Sequence, residues 1–283
     1  MKARALLVLL RPFTLLAPVV GTLAAAAVAA AALGHVWWGE ALVLAALSAV
    51  AATGASNAWN QVFDVELDRT NKPHRPLPSG AIGTGTALAL GDILALAALA
   101  LAVLVTPVFL ACVAVGLFAT WIYSAPPLRT KRSTFGALVT IAVPRGLLVP
   151  VGGWSVVAVP DSPDPWALGL VAGLFVLGAA ATKDFADVEG DRAHGCRTLP
   201  ERWGARRAAR AVAPFLVLPF LLYPVFGALG WLHVGTGRLA VLAAVLVLVG
   251  GATARVLVRD PEGLGAGRGG HRAWVGMYLT LLA

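Results

Sequence analysis

The chain has 283 residues, of which 59% are hydrophobic and only 13% are charged. A soluble domain carries about twice that charged fraction, so this composition excludes an ordinary soluble protein. The net charge of +8 must then be explained by where the basic residues lie.

Apolar runs long enough to cross a hydrocarbon core of about 30 Å recur along the whole sequence. They predict an all-α integral membrane protein, a single domain over residues 1–283, whose first helix is retained and not cleaved as a signal peptide. The last run is short enough to cross only part of a bilayer. The nine predicted spans are residues 12–33, 41–62, 85–105, 108–124, 135–157, 166–183, 210–231, 238–257 and 273–283.

The basic residues alternate between loops. Twenty of the 22 Lys and Arg residues lie at the N-terminus or in the loops after the second, fourth, sixth and eighth spans, and Arg145 and Arg238 are the exceptions. The positive-inside rule places these loops in the cytoplasm. We therefore expect a plasma (inner) membrane protein with a cytoplasmic N-terminus and active site, and no nucleic-acid partner. Cys112 and Cys196 lack metal-ligand spacing, and we predict no disulfide.

The first of two acidic clusters follows the second span, in the stretch NQVFDVELDRTNKPHRPLPSG. Asn60, Asp64 and Asp68 recur at intervals of four, which predicts that they share one face of a helix. Glu66 falls off that face. Carboxylates beside a membrane span are costly and usually serve a function.

The second cluster, KDFADVEGD, follows the sixth span and so lies at a matching depth. Asp187 and Asp191 repeat the interval of four, Asp184 stands one turn earlier, and Glu189 falls off the shared face. Carboxylates without His or Cys select hard cations, and Mg²⁺ bridges a few Asp residues to substrate phosphates. The clusters therefore predict a Mg²⁺ site for a diphosphate. Five basic residues are candidates to neutralise its oxygens: Lys72, Arg75, Arg129, Lys131 and Lys183.

These clusters resemble the NDxxDxxxD and DxxxD motifs of the UbiA superfamily of intramembrane prenyltransferases. LLRPFTLLAP near the start and YSAPPLRTK after the fourth span extend the resemblance over essentially the whole chain. It implies nine helices around a central cavity, with both motifs at its cytoplasmic mouth and Mg²⁺ as the cofactor. It assigns catalysis to four aspartates of the two motifs, Asp64, Asp68, Asp187 and Asp191. The implied metal ligands are Asn60, Asp64, Asp68, Asp184, Asp187 and Asp191.

The resemblance implies that a prenyl group moves from a polyprenyl diphosphate to a small acceptor within the bilayer, with no protein partner. An aromatic quinone precursor, of the 4-hydroxybenzoate or homogentisate type, is the first choice of acceptor. A glycerophosphate ether lipid, chlorophyllide, haem or a terpene cyclase reaction are the alternatives within the fold. A membrane transporter is the alternative from another class, which the gathering of charge at one face disfavours.

Three residues are candidates to contact the acceptor. Arg145 is a cation inside the fifth span, suited to a carboxylate or phosphate. Gln61 stands where the family usually has Asp, a form associated with homogentisate-type members, and an amide is a poorer metal ligand than a carboxylate. Tyr123 is an aromatic candidate, and its ring, like those of Trp59 and Phe63, is suited to stabilising a carbocation.

Overall fold

The computed structural model of the chain describes residues 2–35, 39–193, 195–265 and 272–282, and no β-strand occurs among these residues. Eight helical segments within the described ranges are long and apolar enough to cross a membrane. They confirm the first eight predicted spans. Their bounds are Pro12–Leu33, Glu40–Phe63, Thr84–Val103, Pro107–Ser124, Thr134–Ser155, Asp164–Ala186, Ala205–Ala228 and Thr236–Arg259.

The ninth predicted span is a helix of 11 residues, Arg272–Leu282. Its length of about 16 Å covers only part of a bilayer, as predicted, and the predicted last residue, Ala283, lies outside the described residues.

The helices are, in chain order, α1 (Lys2–Leu10), α2 (Pro12–Leu33), α3 (Glu40–Phe63), α4 (Val65–Asn71), α5 (Thr84–Val103), α6 (Pro107–Ser124), α7 (Thr134–Ala142), α8 (Val149–Ser155), α9 (Asp164–Ala181), α10 (Val188–Ala193), α11 (Leu199–Trp203), α12 (Ala205–Val212), α13 (Leu222–Ala228), α14 (Thr236–Arg259), α15 (Pro261–Gly265) and α16 (Arg272–Leu282).

The chain divides into two compact units, of which the first comprises Met1–Lys131 and Leu148–Val159. Within it, α3 packs against α1, α2, α5 and α6. Small side chains such as Ala55 and Ala58 are fully buried in these contacts, and small residues let membrane helices approach closely. This packing fixes the C-terminal end of α3, where the first acidic motif begins.

The second unit comprises Arg132–Leu147 and Pro160–Ala283. Here α9 packs against α7, and α14 packs against α13 and α16. The core of the unit includes Phe175 and Phe220, whose ring centroids are 5.4 Å apart. The second acidic motif continues directly from the end of α9, so this core positions it.

A π-helical turn, Val143–Leu148, interrupts the span between α7 and α8. Gly146 allows it, since a Cβ atom added there would lie 2.2 Å from the Cα atom of Gly173 in α9. Such turns occur frequently at functional sites. Arg145 lies in the turn, inside the span as predicted, with an exposed side chain.

Candidate active site

The first acidic motif breaks its helix at its first aspartate. Helix α3 ends at Phe63 and α4 begins at Val65, so Asp64 lies between them with φ −107° and ψ 9°. The predicted continuous helical face is therefore wrong at this residue, which adopts a sparsely populated conformation common in active sites. The amide of Asp68 still donates to the Asp64 carbonyl at 2.7 Å, so the two acids remain one turn apart.

The second motif repeats this break. A 3₁₀ turn, Thr182–Ala186, ends before Asp187, which has φ −112° and ψ 6°, and α10 starts at Val188. The amide of Asp191 donates to the Asp187 carbonyl at 2.8 Å. The two motifs thus share a backbone conformation as well as a spacing. The strings DVELD and DVEGD differ only at their fourth position, a similarity that the interval of four between the aspartates does not express.

Asp64 is buried and surrounded by cations. The ammonium of Lys131, itself 6% exposed, forms an ion pair with the Asp64 carboxylate. An Nη2 atom of Arg129 lies 3.6 Å from the same carboxylate oxygen and donates to the Phe63 carbonyl at 3.0 Å. The loop after α6 therefore brings two of the predicted phosphate-binding residues to the first motif.

Asn60 and Asp68 are the other two predicted metal ligands of the first motif. The Asn60 amide donates to Asp64 Oδ2 at 2.9 Å and to the Ser124 hydroxyl at 3.1 Å. Asp68 is 1% exposed and accepts from Arg75 Nη1 at 2.7 and 2.5 Å. Every acid of this motif that faces inward is matched by a cation, because a buried carboxylate without one is strongly unfavourable.

Glu66 behaves as predicted for the acid that falls off the shared face. Its side chain is 70% exposed and pairs with Arg69 at 2.7 Å. In the second motif, Asp184 and Asp191 are buried, Asp187 is half-buried and Glu189 is exposed. Both motifs therefore turn their aspartates inward and their glutamate outward.

Among the other predicted residues, Lys183, Lys72 and Tyr123 are half-buried. Lys183 directly precedes Asp184. Lys72 follows α4, and its amide donates to the Asp68 carbonyl at 2.7 Å. Each of these three therefore lies in or beside an acidic motif or at the end of the helix that precedes the basic loop.

Gln61 does not face the acids. Its side chain is 1% exposed, and its amide donates to the carbonyl of Leu9 in α1 at 2.7 Å. Its Oε1 atom is buried without a hydrogen-bond partner in the described structure. The prediction that Gln61 contacts the acceptor is not supported by this position, where the side chain ties α3 to α1.

An aromatic cluster lies directly beside the first motif. The Trp121 ring contacts Trp59 and Phe63 edge to face, with both centroid distances 5.1 Å. The Trp59 indole donates to Asp92 Oδ1 at 2.9 Å, which explains one of the rare acids within a span. Sequence reasoning missed Trp121 and Ser124, although both lie in the stretch WIYSAPPLRTK, part of which carried the resemblance.

The donor set of the first motif suits a metal that is shared with a substrate. Among the described residues, no three His, Cys, Asp or Glu side chains lie close enough to hold a metal by themselves. Asp64, Asp68 and the amide oxygen of Asn60 are hard oxygen donors. Mg²⁺ is commonly bound by one or two carboxylates together with water and substrate phosphates, so these residues fit it in that form.

The chain matches the UbiA prenyltransferase family over residues 19–265. A digeranylgeranylglyceryl phosphate synthase from Methanoregula boonei is 32% identical over 269 residues, which are 93% of this chain and 91% of the relative. The bacteriochlorophyll synthase 33 kDa chain from Cereibacter sphaeroides is 32% identical over 273 residues, covering 92% of this chain and 85% of the relative.

The fold is also that of a solved structure. A UbiA homologue from Archaeoglobus fulgidus bound to DMAPP and Mg²⁺ superposes with a TM-score of 0.72 over 98% of each chain, at 16% identity. The family match covers most of the sequence and agrees with the two motifs. The chain is a member of the UbiA prenyltransferase family.

Proposed function

We propose that this prenyltransferase binds a prenyl diphosphate and Mg²⁺ through both acidic motifs and transfers the prenyl group to a glyceryl phosphate that already carries one prenyl ether. The observation that carries the proposal is the buried Asp64 carboxylate with Lys131 and Arg129 against it. A hard-cation ligand and two phosphate-binding side chains converge there.

Asp64 and Asp68 are assigned to the metal, and Lys131, Arg129 and Arg75 to the phosphate oxygens. Arginine and lysine form strong charge-assisted hydrogen bonds with phosphate. We assign Asp187 and Asp191 the same role as Asp64 and Asp68, because their motif repeats the string and the backbone break. Asp184 is assigned as a further metal ligand. Lys183 and Lys72 supply further positive charge for the diphosphate.

In the transfer, the allylic C–O bond breaks and its electron pair leaves with the diphosphate. The acceptor hydroxyl then forms the new C–O bond and passes its proton to the released diphosphate. Bound Mg²⁺ would supply positive charge at the leaving group. The basic residues stabilise the same charge in the transition state, and the rings of Trp121 and Phe63 beside Asp64 keep water from the reacting carbon.

The acceptor class is argued from the relatives and from Gln61. The Methanoregula boonei relative, matched over 93% of this chain, is a digeranylgeranylglyceryl phosphate synthase by name. The amide at Gln61 had favoured a homogentisate-type acceptor, but that side chain packs against α1. The glyceryl phosphate is therefore placed ahead of the quinone precursor.

An aromatic acid is the second candidate, and Arg145 favours it. The residue lies in a π-helical turn within a span, with its side chain exposed. A guanidinium at membrane depth suits a carboxylate, which it binds through two parallel hydrogen bonds. Arg145→Ala should therefore impair prenyl transfer to an aromatic acid more than prenyl transfer to a glyceryl phosphate.

The test is an acceptor panel. Purified protein in nanodiscs is given Mg²⁺, radiolabelled geranylgeranyl diphosphate, and one acceptor each time: the monoprenyl glyceryl phosphate, homogentisate, 4-hydroxybenzoate or chlorophyllide. We expect labelled product with the glyceryl phosphate. Product with an aromatic acid alone would replace the acceptor assignment, and no product and no diphosphate release with any acceptor would contradict the proposed function.

A further inference from the structure

A cavity lined by arginines lies in the second unit, among the residues that follow the second acidic motif in the chain. It is an open cavity of about 440 Å³. Three of its lining residues are arginines. The lining residues are Arg192, Gly195, Cys196, Arg197, Glu201 and Arg202.

The wall of this cavity is held by backbone contacts. The Cys196 amide donates to the Asp191 carbonyl at 2.8 Å, which turns the chain back directly after the second motif. The Arg197 amide donates to the Arg132 carbonyl at 3.1 Å, and the Thr134 hydroxyl donates to the Arg197 carbonyl. The segment that contains Cys196 and Arg197 is thus anchored both to the second acidic motif and to the start of α7.

The charge of the cavity suits a dianion. Three guanidinium groups and the single carboxylate of Glu201 leave a formal excess of two positive charges. Arg192 Nε lies 3.7 Å from Glu201 Oε1, and the Arg192 side chain is 68% exposed. A phosphate monoester carries about −1.5 to −2 at pH 7, and guanidinium binds phosphate with good geometry.

We propose that this cavity binds the phosphate monoester of the acceptor, which makes Arg192, Arg197 and Arg202 specificity-determining residues. The inference rests on the proposed function. Arg192 directly follows Asp191, so an acceptor held here by its phosphate is anchored next to the second motif. A phospholipid with a terminal phosphate carries the same chemistry, and the experiment separates the two.

The first arm of the test measures binding without turnover. sn-Glycerol 1-phosphate is titrated calorimetrically into protein in phosphatidylcholine nanodiscs. We expect Arg197→Ala/Arg202→Ala to weaken binding by at least about tenfold, because each change removes a charge-assisted hydrogen bond. Arg207→Ala is the matched control, since Arg207 is exposed nearby on α12 and does not line the cavity. Equal binding by wild type and double variant would overturn the proposal.

The second arm measures kinetics with the prenylated acceptor. The double variant should raise the KM for the acceptor at least about tenfold and leave the KM for the prenyl diphosphate within twofold. Equal increases in both KM values would overturn the proposal, as would phosphatidic acid competing with glycerol phosphate while the acceptor KM is unchanged. Binding lost only in the double variant, with no turnover by wild type, would support the cavity and contradict the proposed function.

Discussion

Asp64 and Lys131 form a buried ion pair that serves the fold as well as the site. Lys131 is 6% exposed, and its ammonium contacts the Asp64 carboxylate. Removing one partner of such a pair leaves a buried charge uncompensated. A simple alanine substitution at the first motif therefore mixes an effect on catalysis with an effect on stability.

A series of charge-removing substitutions separates the two effects. Asp64→Ala should lower the free energy of unfolding by about 3–5 kcal/mol, because Lys131 is left unpaired, and should abolish prenyl transfer. Asp64→Ala/Lys131→Met should recover most of the stability and none of the activity. Thermal unfolding in detergent and product formation are the measurements. Transfer activity restored in the double variant would show that Asp64 acts only as a counter-ion.

Gln61 allows a test of whether the family's usual acid can be restored. The side chain is 1% exposed and faces the Leu9 carbonyl. Gln61→Asp should therefore lower the stability by about 1–3 kcal/mol, because it buries a carboxylate against a carbonyl oxygen and loses the donor. The Mg²⁺ concentration for half-maximal activity should not change. A lower requirement for Mg²⁺ would show that position 61 reaches the metal.

At the scale of the elements, hydropathy predicted the spans well and backbone breaks poorly. The first eight predicted spans agree with the structure because bilayer thickness dictates the length of an apolar run. The breaks at Asp64 and Asp187 were missed because an interval of four also suits an unbroken helix. The π-helical turn at Arg145 was missed because it depends on the contact between Gly146 and Gly173, which no local pattern encodes.

The repeated motif predicts a matched pair of effects in the second unit. Asp191 is buried and Glu189 is exposed, although they are two residues apart. Asp191→Asn should reduce the rate of transfer by at least about a hundredfold, an effect typical of losing one stabilising group in a transition state. Glu189→Gln should leave the rate within twofold. A comparable loss in both variants would remove the distinction between inward and outward acids.

The π-helical turn gives a second matched pair. A Cβ atom on Gly146 would lie 2.2 Å from the Gly173 Cα atom, whereas a Cβ atom on Gly173 would meet nothing nearer than 3.8 Å. Gly146→Ala should therefore destabilise the protein by about 1–3 kcal/mol. Gly173→Ala should stay within about 1 kcal/mol of the wild type. Unfolding in mild detergent measures both, and an unaffected Gly146→Ala variant would contradict the close packing of the turn.

For the whole molecule, the sequence supplied candidate site residues but not their contacts. The motifs predicted Asp64, and the basic loop after the fourth predicted span supplied Arg129 and Lys131 as candidates. Which of them pairs with Asp64 depends on the path of the loop after α6, as does the contact of Ser124 with Asn60. The orientation in the membrane, with both motifs cytoplasmic, stays a prediction from the positive-inside rule.

The central claim is Mg²⁺-dependent prenyl transfer through the two acidic motifs. The most direct measurement follows prenylated product and released diphosphate together, in chelator-treated protein supplied with labelled prenyl diphosphate and the glyceryl phosphate acceptor. Product and diphosphate should form in equal amounts and only after Mg²⁺ is added, and both should form at least about a hundredfold more slowly in Asp64→Asn and in Asp191→Asn. Equal turnover without a divalent cation, or in both variants, would contradict the account.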